Sequence, residues 1–223
     1  MIIVIDGPAG AGKSTTARAV AREAGLDYVD SGAIYRGFTY LFLKHGSSRE
    51  VFLNSLDDHK IRFEFHLTDA RVFLEEEDIT EAIRYSEVNN RVSEVSAMPE
   101  VRKVVKDILR DVCLGSDVIL EGRDLGTVVF PDADIKFFLT ADQKVRARRR
   151  HDELLRSGED ITLEEVLENV EKRDRIDSSR EIAPLRKADD AVEIDSTNLT
   201  FKEQVVRISR YIRNRRSTEK TKR

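Results

Sequence analysis

The sequence predicts an α/β fold with a parallel sheet and helices on both of its faces. The first observation is residues 2–5, an apolar β-branched run typical of a strand buried on both sides. The second is the glycine-rich turn that follows and leads into a helical pattern over residues 14–23. The third is the alternation of short strands and helices along the rest of the chain, which indicates parallel pairing. At 223 residues, the chain fits one domain with insertions.

The remaining elements follow in chain order. Short apolar runs predict strands at residues 28–29, 118–120, 135–139 and 191–194. Helices are expected from about Ser31, over the apolar stripe at 101–112, within the charged segment 142–180, and around 205–212. These assignments complete the alternating pattern.

Residues 61–66 differ from this pattern because apolar and polar side chains alternate, and a second short run follows at 72–74. A period of two predicts an antiparallel hairpin. We therefore expect a small β-rich insertion on an otherwise parallel sheet.

The composition excludes several classes of protein. The formal net charge is −4, whereas a nucleic-acid-binding or membrane-surface protein would be basic, so neither partner is expected. The basic stretch 207–223 is expected to be a solvated helix end. The single cysteine, Cys113, lies on a predicted helix and should be a core residue. With no apolar run of bilayer length and no signal peptide, we expect a cytoplasmic protein, and we expect it to be a monomer.

Residues 7–14, Gly-Pro-Ala-Gly-Ala-Gly-Lys-Ser, match the pattern G-x-x-x-x-G-K-[ST] at every fixed position. Glycines let backbone N–H groups approach phosphate oxygens, and the following helix adds its positive N-terminal end. The Lys13 ammonium can reach the β- and γ-phosphates of ATP, and the Ser14 hydroxyl can ligate Mg²⁺. The expected nucleotide contacts are Gly7, Pro8, Ala9, Gly10, Ala11, Gly12, Lys13, Ser14 and Thr15.

Two clusters follow predicted strands, at residues 30–36 and 121–127, and each places an arginine beside an aspartate and a glycine. Ligands of open α/β sheets bind outside the carboxyl ends of the strands, so both clusters should face the phosphate-binding loop. Arg36 and Arg123 are suited to bind a phosphate with paired N–H groups. Taken singly, each would more often be a surface ion-pair partner.

A third cluster of arginines lies within residues 146–150 and 173–180. Acidic residues are as frequent as basic ones in this region, which a solvated, salt-bridged helical face would explain. A mobile lid whose arginines close over ATP explains the composition equally well. Composition alone leaves both interpretations open.

Together these segments resemble the bacterial cytidylate (CMP) kinases, in the nucleoside-monophosphate kinase group of P-loop proteins. The resemblance runs nearly end to end, and it is carried by IDGPAGAGKS (5–14), DSGAIYR (30–36), EGRDLGTVVFPDA (121–133), IAPL (182–185) and DST (195–197). Where many relatives have Asp before Gly-Arg-Asp, this chain has Glu121. The strand from Ile61 shows little detailed likeness.

The resemblance implies a kinase of three parts that transfers the γ-phosphoryl group of ATP to CMP, and also to dCMP. The parts would be a core (1–59 and 86–223), a monophosphate-binding insertion (about 60–85) and a lid (about 150–180). ATP and Mg²⁺ would be required, and the catalytic groups would be Lys13, Arg150 and Arg173.

The resemblance also assigns residues to each portion of the two substrates. Arg36 and Arg123 would hold the acceptor phosphate, with Ser31 and Tyr35 in the same acceptor site. Asp177 and Arg180 would contact its sugar, and Ser93, Arg102 and Asp124 would read its base. Arg146 and residues 195–197 would lie near the adenine of ATP, and Arg150 and Arg173 near its phosphates.

The base assignment has a physical basis, because cytosine presents an N4–H₂ donor where uracil presents an acceptor, and a carboxylate pairs with a donor. Asp124 could instead be a structural partner of Arg123. Rival acceptors are UMP, AMP and shikimate. A rival class is a nucleotide-dependent switch, although no Asn-Lys-x-Asp guanine loop is present.

The acceptor phosphate is itself largely ionised at pH 7, since its second pKa is about 6. No general base is then required, and catalysis reduces to in-line positioning and neutralisation of charge. The four histidines, His45, His59, His66 and His151, are therefore expected to be structural or solvated.

Overall fold

The computed structural model describes residues 1–56, 61–65, 70–156 and 158–220, with side chains described as far as residue 217. In chain order, the strands and helices are β1 (Ile2–Asp6), α1 (Lys13–Ala24), β2 (Asp27–Asp30), α2 (Ser31–Lys44), α3 (Arg49–Asn54), β3 (Ile61–Phe65), β4 (Ala70–Leu74), β5 (Glu77–Asp78), α4 (Ser86–Val95), α5 (Pro99–Val112), β6 (Val118–Gly122), β7 (Ile135–Thr140), α6 (Gln143–Arg156), α7 (Leu163–Ser179), β8 (Val192–Asp195) and α8 (Phe201–Lys220). A 3₁₀ turn (Ala82–Arg84) and a π-helical turn (Leu125–Val129) are also present.

Five strands form a parallel sheet in the order β2-β6-β1-β7-β8, with β1 at its centre. Because every strand runs in the same direction, their carboxyl ends meet at one edge. Asp6 pairs with Gly122 there, and Asp30 pairs with Glu121. Helices α2 and α5 cover one face of the sheet, and α1 and α8 cover the other. The predicted fold class is confirmed.

Strand β1 contributes side chains alternately to two apolar cores. Ile3 and Ile5 pack in the core beneath α1 and α8, and Val4 packs in the core beneath α2 and α5. All three are fully buried. Burying one such side chain stabilises the fold by about 1.5–3 kcal/mol. Burial on both faces is therefore why this strand is apolar throughout.

The second sheet is antiparallel, in the order β3-β4-β5, and confirms the predicted hairpin. It lies against α2 at Gly37, where a Cβ atom would be 3.2 Å from Cε1 of Phe63 and 3.3 Å from Cγ1 of Val72. Strand β4 begins at Ala70, two residues before the predicted start. The predicted end of the first strand, His66, lies outside the described residues, as does His59.

The charged segment predicted to be helical forms α6 and α7. These helices pack on each other through a small core of Ala147, Val166 and Val170. A capping box begins α7, in which Thr162 and Glu165 satisfy each other's backbone N–H groups. Most of the other side chains of the pair are charged and at least partly exposed.

The C-terminal helix α8 buries Val205, Ile208 and Ile212, and its basic side chains as far as Arg216 are exposed or half-buried. Cys113 is buried, as predicted, and desolvation raises the pKa of its thiol to about 12. Within the described ranges, every helix is too short or too polar to cross a lipid bilayer.

Candidate active site

The loop between β1 and α1 has the backbone geometry that its glycines allow. Gly7, Gly10 and Gly12 have φ values of 150°, 73° and 90°, in the region that other residues rarely adopt. A Cβ atom on Gly7 would lie 2.0 Å from the carbonyl oxygen of Leu139. Helix α1 begins at Lys13, so its first N–H groups open toward the loop. The loop therefore forms the phosphate-binding cradle that the motif predicts.

Lys13 lies within this cradle and is 5% exposed. Its ammonium donates to the carbonyl oxygen of Pro8 at 2.8 Å. Burial, followed by the nearby positive charge of Arg123, lowers the pKa of Lys13 to about 7. An anion bound in the loop would reverse this shift by favouring the charged amine.

Ser14 and Glu121 bring two oxygen ligands together at the edge of the sheet. The Ser14 hydroxyl donates to Oε1 of Glu121 at 2.8 Å. Burial, together with the charge of Asp30, raises the pKa of Glu121. A hydroxyl beside a carboxylate is a donor set that suits Mg²⁺, which takes oxygen ligands and usually one or two carboxylates.

Asp30 ends β2 and caps α2. Its Oδ1 accepts the N–H of Ala33 at 2.9 Å, and its Oδ2 accepts Nη2 of Arg36 at 3.0 Å. Burial acts to raise the pKa of Asp30, but Arg36 and then Arg84 outweigh it, and the net pKa is lowered. This contact holds Arg36 in the site, where its buried Nε has no hydrogen-bond partner. Arg36 therefore forms the ion pair expected of a single arginine, but one of its buried N–H groups has no partner.

Arg123 directly follows β6 and is hydrogen-bonded to α7. Its Nε donates to Oδ2 of Asp177 at 3.0 Å, and its Nη1 donates to the carbonyl of Gly122 at 3.2 Å. Asp177 also lies 4.0 Å from Nη2 of Arg180, a buried nitrogen with no hydrogen-bond partner. The structure thus brings together the residues predicted to hold the acceptor phosphate and its sugar.

The residues predicted to read the base also meet. Nη2 of Arg102 donates to Oδ2 of Asp124, and its Nη1 donates to the carbonyl of Ser96 at 3.0 Å. The guanidinium lies over the ring of Tyr35, 5.6 Å from its centroid. Ser93 is buried one turn from Ser96 on the same helical segment. Asp124 therefore pairs with Arg102, and the alternative partner considered for it, Arg123, is bonded to Asp177 instead.

Arg146 connects α6, α7 and the phosphate-binding loop. Its Nη1 donates to the carbonyl of Ala9 at 2.9 Å, its Nε to Ala141 at 3.0 Å, and its Nη2 to Asp174 at 2.6 Å. The neighbouring Arg149 donates to the carbonyl and hydroxyl of Ser196. The α6–α7 pair is thereby attached to the loop through backbone oxygens. A contact of Arg146 with adenine remains a prediction.

Arg173 is a half-buried cation with other arginines near it. Burial, followed by the charge of Arg123, lowers its pKa to about 10, and Arg150 and Arg36 act in the same direction. Its Nε is buried without a hydrogen-bond partner. Arg150 itself is half-buried and pairs with Glu153 at 2.7 Å. The predicted lid arginines therefore lie within electrostatic range of the predicted acceptor arginines.

Three buried guanidinium nitrogens without hydrogen-bond partners belong to these predicted residues: Nε of Arg36, Nε of Arg173 and Nη2 of Arg180. An unpaired buried donor costs about 1–3 kcal/mol, and more when it is charged. Such a cost is offset when an anion with several oxygen acceptors binds among them. The arrangement is thus built to bind a multiply charged anion such as a phosphate.

Asp6 and Glu121 lie in the site although no role was predicted for either residue. Both are buried carboxylates at the ends of apolar strands. A charged residue at the end of a buried apolar strand is costly to bury. A carboxylate at the end of an apolar run was therefore the feature of the sequence that could have identified both residues. Of the described histidines, His45 contacts Ser55 and His151 contacts the carbonyl of Ile161, so both have structural contacts.

The parallel sheet, the glycine-rich loop after its central strand and the buried lysine define a P-loop nucleotide-binding protein. A family model described as cytidylate kinase matches residues 3–214. A cytidylate kinase from Carboxydothermus hydrogenoformans is 45% identical, with 93% of this chain and 95% of that one covered. One from Clostridioides difficile is 46% identical, with 92% and 94% covered. The chain belongs to the cytidylate kinase family.

A solved structure gives a comparison of the fold alone. An uncharacterized protein from Eubacterium ventriosum aligns with a TM-score of 0.52 and 12% identity, covering 96% of this chain and 98% of that chain.

Proposed function

We propose that this protein transfers the γ-phosphoryl group of ATP to CMP, and to dCMP, giving ADP and the corresponding diphosphate. The observation that carries the proposal is the set of buried guanidinium nitrogens without hydrogen-bond partners on Arg36, Arg173 and Arg180. Of these, Arg173 lies within electrostatic range of Arg36 and also of Arg123. Membership of the cytidylate kinase family supports CMP as the acceptor. We further propose that the protein works in the cytoplasm as a monomer.

The two phosphate groups bind to different parts of the site in this proposal. The β- and γ-phosphates of ATP lie in the loop of residues 7–14, against Lys13. The acceptor phosphate lies between Arg36, in the second turn of α2, and Arg123, directly after β6. An acceptor oxygen that is already ionised attacks in line, so the residues supply position and positive charge and take no proton.

Positive charge then neutralises the transferring group. Lys13 regains its proton as the phosphates bind, because an adjacent anion favours the charged form. Arg173 and Arg150 contribute further charge from the α6–α7 pair, which we propose is the lid. One preorganised donor of this kind typically contributes about 10²–10³-fold in rate. Closure of the lid would also exclude water, which protects ATP from hydrolysis.

Mg²⁺ would be held by Ser14, with Glu121 beside it. The hydrogen bond between these side chains already places two hard oxygen ligands at one point. When bound, the ion would neutralise negative charge on the phosphates of ATP.

Base recognition rests on Asp124, Arg102 and Ser93 in this proposal. The carboxylate of Asp124 accepts the N4–H₂ group of cytosine, and its ion pair with Arg102 orients it. Uracil presents an acceptor at the same position, so two acceptors would face each other. The sheet β3-β4-β5 packs beside α2, and we propose that it is the insertion that covers the acceptor monophosphate.

The test is the rate of ADP release from Mg-ATP with CMP, dCMP, UMP, AMP or shikimate as acceptor, against a reaction without acceptor. We expect strong stimulation by CMP and dCMP and weak stimulation by the others. If another acceptor gave the highest rate, the P-loop chemistry would stand and the roles of Ser93, Arg102 and Asp124 would be wrong. If no acceptor raised the rate, the transferase proposal itself would fail.

A further inference from the structure

Asp6 is a buried carboxylate whose two oxygens both accept backbone N–H groups from a distant segment. It ends the central strand β1 and is 4% exposed. Its Oδ1 accepts from Leu125 at 2.9 Å and its Oδ2 from Gly126 at 2.7 Å, across 119 and 120 residues. Burying a carboxylate is costly unless hydrogen bonds compensate it. A carboxylate kept at this position therefore has a task that an apolar residue could not perform.

The two N–H groups belong to the first positions of the π-helical turn Leu125–Val129. The first N–H groups of a helical segment have no acceptor within that segment and need an external one. The residue before the turn, Asp124, is the usual source of such a cap, but its side chain makes no capping bond. Its carboxylate is bonded to Arg102. Asp6, at the end of β1, thus caps the turn in place of Asp124, and the carboxylate of Asp124 remains available to the acceptor site.

The turn is also held on its other sides. The guanidinium of Arg110 donates from Nε and Nη2 to the carbonyl of Val129, both at 3.2 Å. A Cβ atom on Gly126 would lie 3.1 Å from Cδ of Lys136 and 3.3 Å from Cγ2 of Val4. The turn therefore packs tightly against β1 and β7, and a lost bond at Asp6 would shift its beginning.

We propose that Asp6 is a positioning residue for acceptor selection, because it holds the π-helical turn and thereby sets the direction of Asp124 and Arg123. Asp6 also directly precedes Gly7, so one residue fixes both the start of the phosphate-binding loop and the start of the acceptor loop. The inference rests on the proposed phosphorylation of CMP, since it takes Asp124 to read the base.

The substitution Asp6→Asn tests this inference. An amide keeps one acceptor oxygen but places an NH₂ group against an N–H donor, so either Leu125 or Gly126 loses its partner. We expect kcat/KM for CMP to fall roughly 10²-fold, as for a small misplacement of reacting groups. The KM for ATP should change by less than about threefold, and the ratio of kcat/KM for CMP to that for UMP should fall at least about tenfold.

A matched control lies at the other end of the same strand. Asp134 accepts the N–H of Ile2 at 2.7 Å, so Asp134→Asn makes the same chemical change to a similar bond away from the site. We expect its CMP-to-UMP ratio to equal that of the wild type. If Asp6→Asn lowered the melting temperature but left this ratio unchanged, Asp6 would be merely structural and the inference would be wrong.

A second variant covers the case in which Asp6→Asn does not fold. Gly126→Ala leaves Asp6 intact and displaces the same turn by the contacts given above. Gly126→Ala should also lower the ratio of kcat/KM for CMP to that for UMP. An unchanged ratio would overturn the inference. A wild-type enzyme that does not phosphorylate CMP would instead refute the proposed function, so the two failures are distinguishable.

Discussion

Arg123 donates from Nε to Oδ2 of Asp177, at 3.0 Å and across 54 residues of chain. One residue belongs to the loop after β6, and the other to the last turn of α7. The bond orients the guanidinium of Arg123 before any acceptor binds, which lowers the cost of ordering it later. Arg173 lies near this guanidinium as a like charge.

That like charge leads to a prediction about Arg173. Replacing it by Met keeps much of its volume and removes a buried cation that neighbouring arginines destabilise. We expect Arg173→Met to stabilise the fold by about 1–2 kcal/mol and raise the melting temperature. We expect kcat to fall roughly 10²-fold or more, since one charge near the transferring group is lost. Thermal unfolding and steady-state kinetics measure the two effects.

Arg175→Met is the matched control for this prediction, since Arg175 is exposed on the same helix. It should change neither the melting temperature nor kcat appreciably. A lower melting temperature for Arg173→Met would show that Asp177 and its neighbours compensate the charge of Arg173 fully.

The pairing of Asp124 with Arg102 predicts a change of selectivity. In Asp124→Asn, an NH₂ donor replaces one of the two acceptor oxygens. We expect kcat/KM for CMP to fall about 10–100-fold, with a smaller loss for UMP, because an amide can donate to O4 of uracil. Asp107→Asn, an exposed position on α5, serves as the control. Equal losses for both acceptors would mean that Asp124 acts only by holding Arg102.

Lys13 is predicted to be required for catalysis and dispensable for folding. Lys13→Ala removes the ammonium that faces the phosphates and a single bond to the carbonyl of Pro8. We expect kcat to fall about 10³-fold while far-UV circular dichroism stays unchanged. A Lys13→Ala enzyme with full activity would refute the proposed mechanism.

The lowered pKa of Lys13 predicts that ATP binding takes up a proton above neutral pH. With a pKa of about 7 in the free protein, most Lys13 side chains are neutral at pH 8, and bound phosphates favour the charged form. We expect uptake of up to about 0.9 proton per ATP at pH 8. Calorimetric titrations in buffers of different ionisation enthalpy measure it. Lys13→Arg stays charged and should show close to none, so equal uptake in both proteins would contradict the assignment.

The bond between Ser14 and Glu121 predicts a dependence on magnesium. Glu121→Gln keeps the size of the side chain and removes the negative charge. We expect the Mg²⁺ concentration for half-maximal activity to rise about tenfold or more, with partial recovery of kcat at saturating Mg²⁺. Glu193→Gln, in β8, is the control, because it removes an exposed carboxylate that pairs with Lys187. An unchanged magnesium requirement would remove Glu121 from the proposed site.

The central strands and the phosphate-binding loop could be predicted because their causes are local. Strand β1 is buried on both faces, so its sequence is apolar, and the loop needs glycine where φ is positive. The predicted positions agree with the structure to within one or two residues at β1, β7 and α1. The helix α3 was not predicted, because six residues with a single buried side chain, Phe52, leave no periodic pattern.

The contacts of the site could be predicted only in part. A resemblance between sequences placed Arg36, Arg123 and Asp177 in one site, and the structure does bring them together. The resemblance could not predict the bonds of Arg146 to the carbonyls of Ala9 and Ala141, because every residue type has a backbone carbonyl. Nor could it give the bond between Asp6 and Gly126, because long-range pairing across 120 residues depends on the assembled sheet.

The place of β1 at the middle of the sheet has a consequence for synthesis of the protein on the ribosome. The first strand to leave the ribosome pairs on one side with β6 and on the other with β7, which ends at Thr140. At about 5–20 residues per second, β1 waits roughly 7–27 s for its second neighbour to be made. Both edges of this apolar strand are unpaired until β6 is made, and one edge stays unpaired until β7 is made. Nascent chains shorter than about 140 residues should therefore depend on chaperones, and the full-length chain should not.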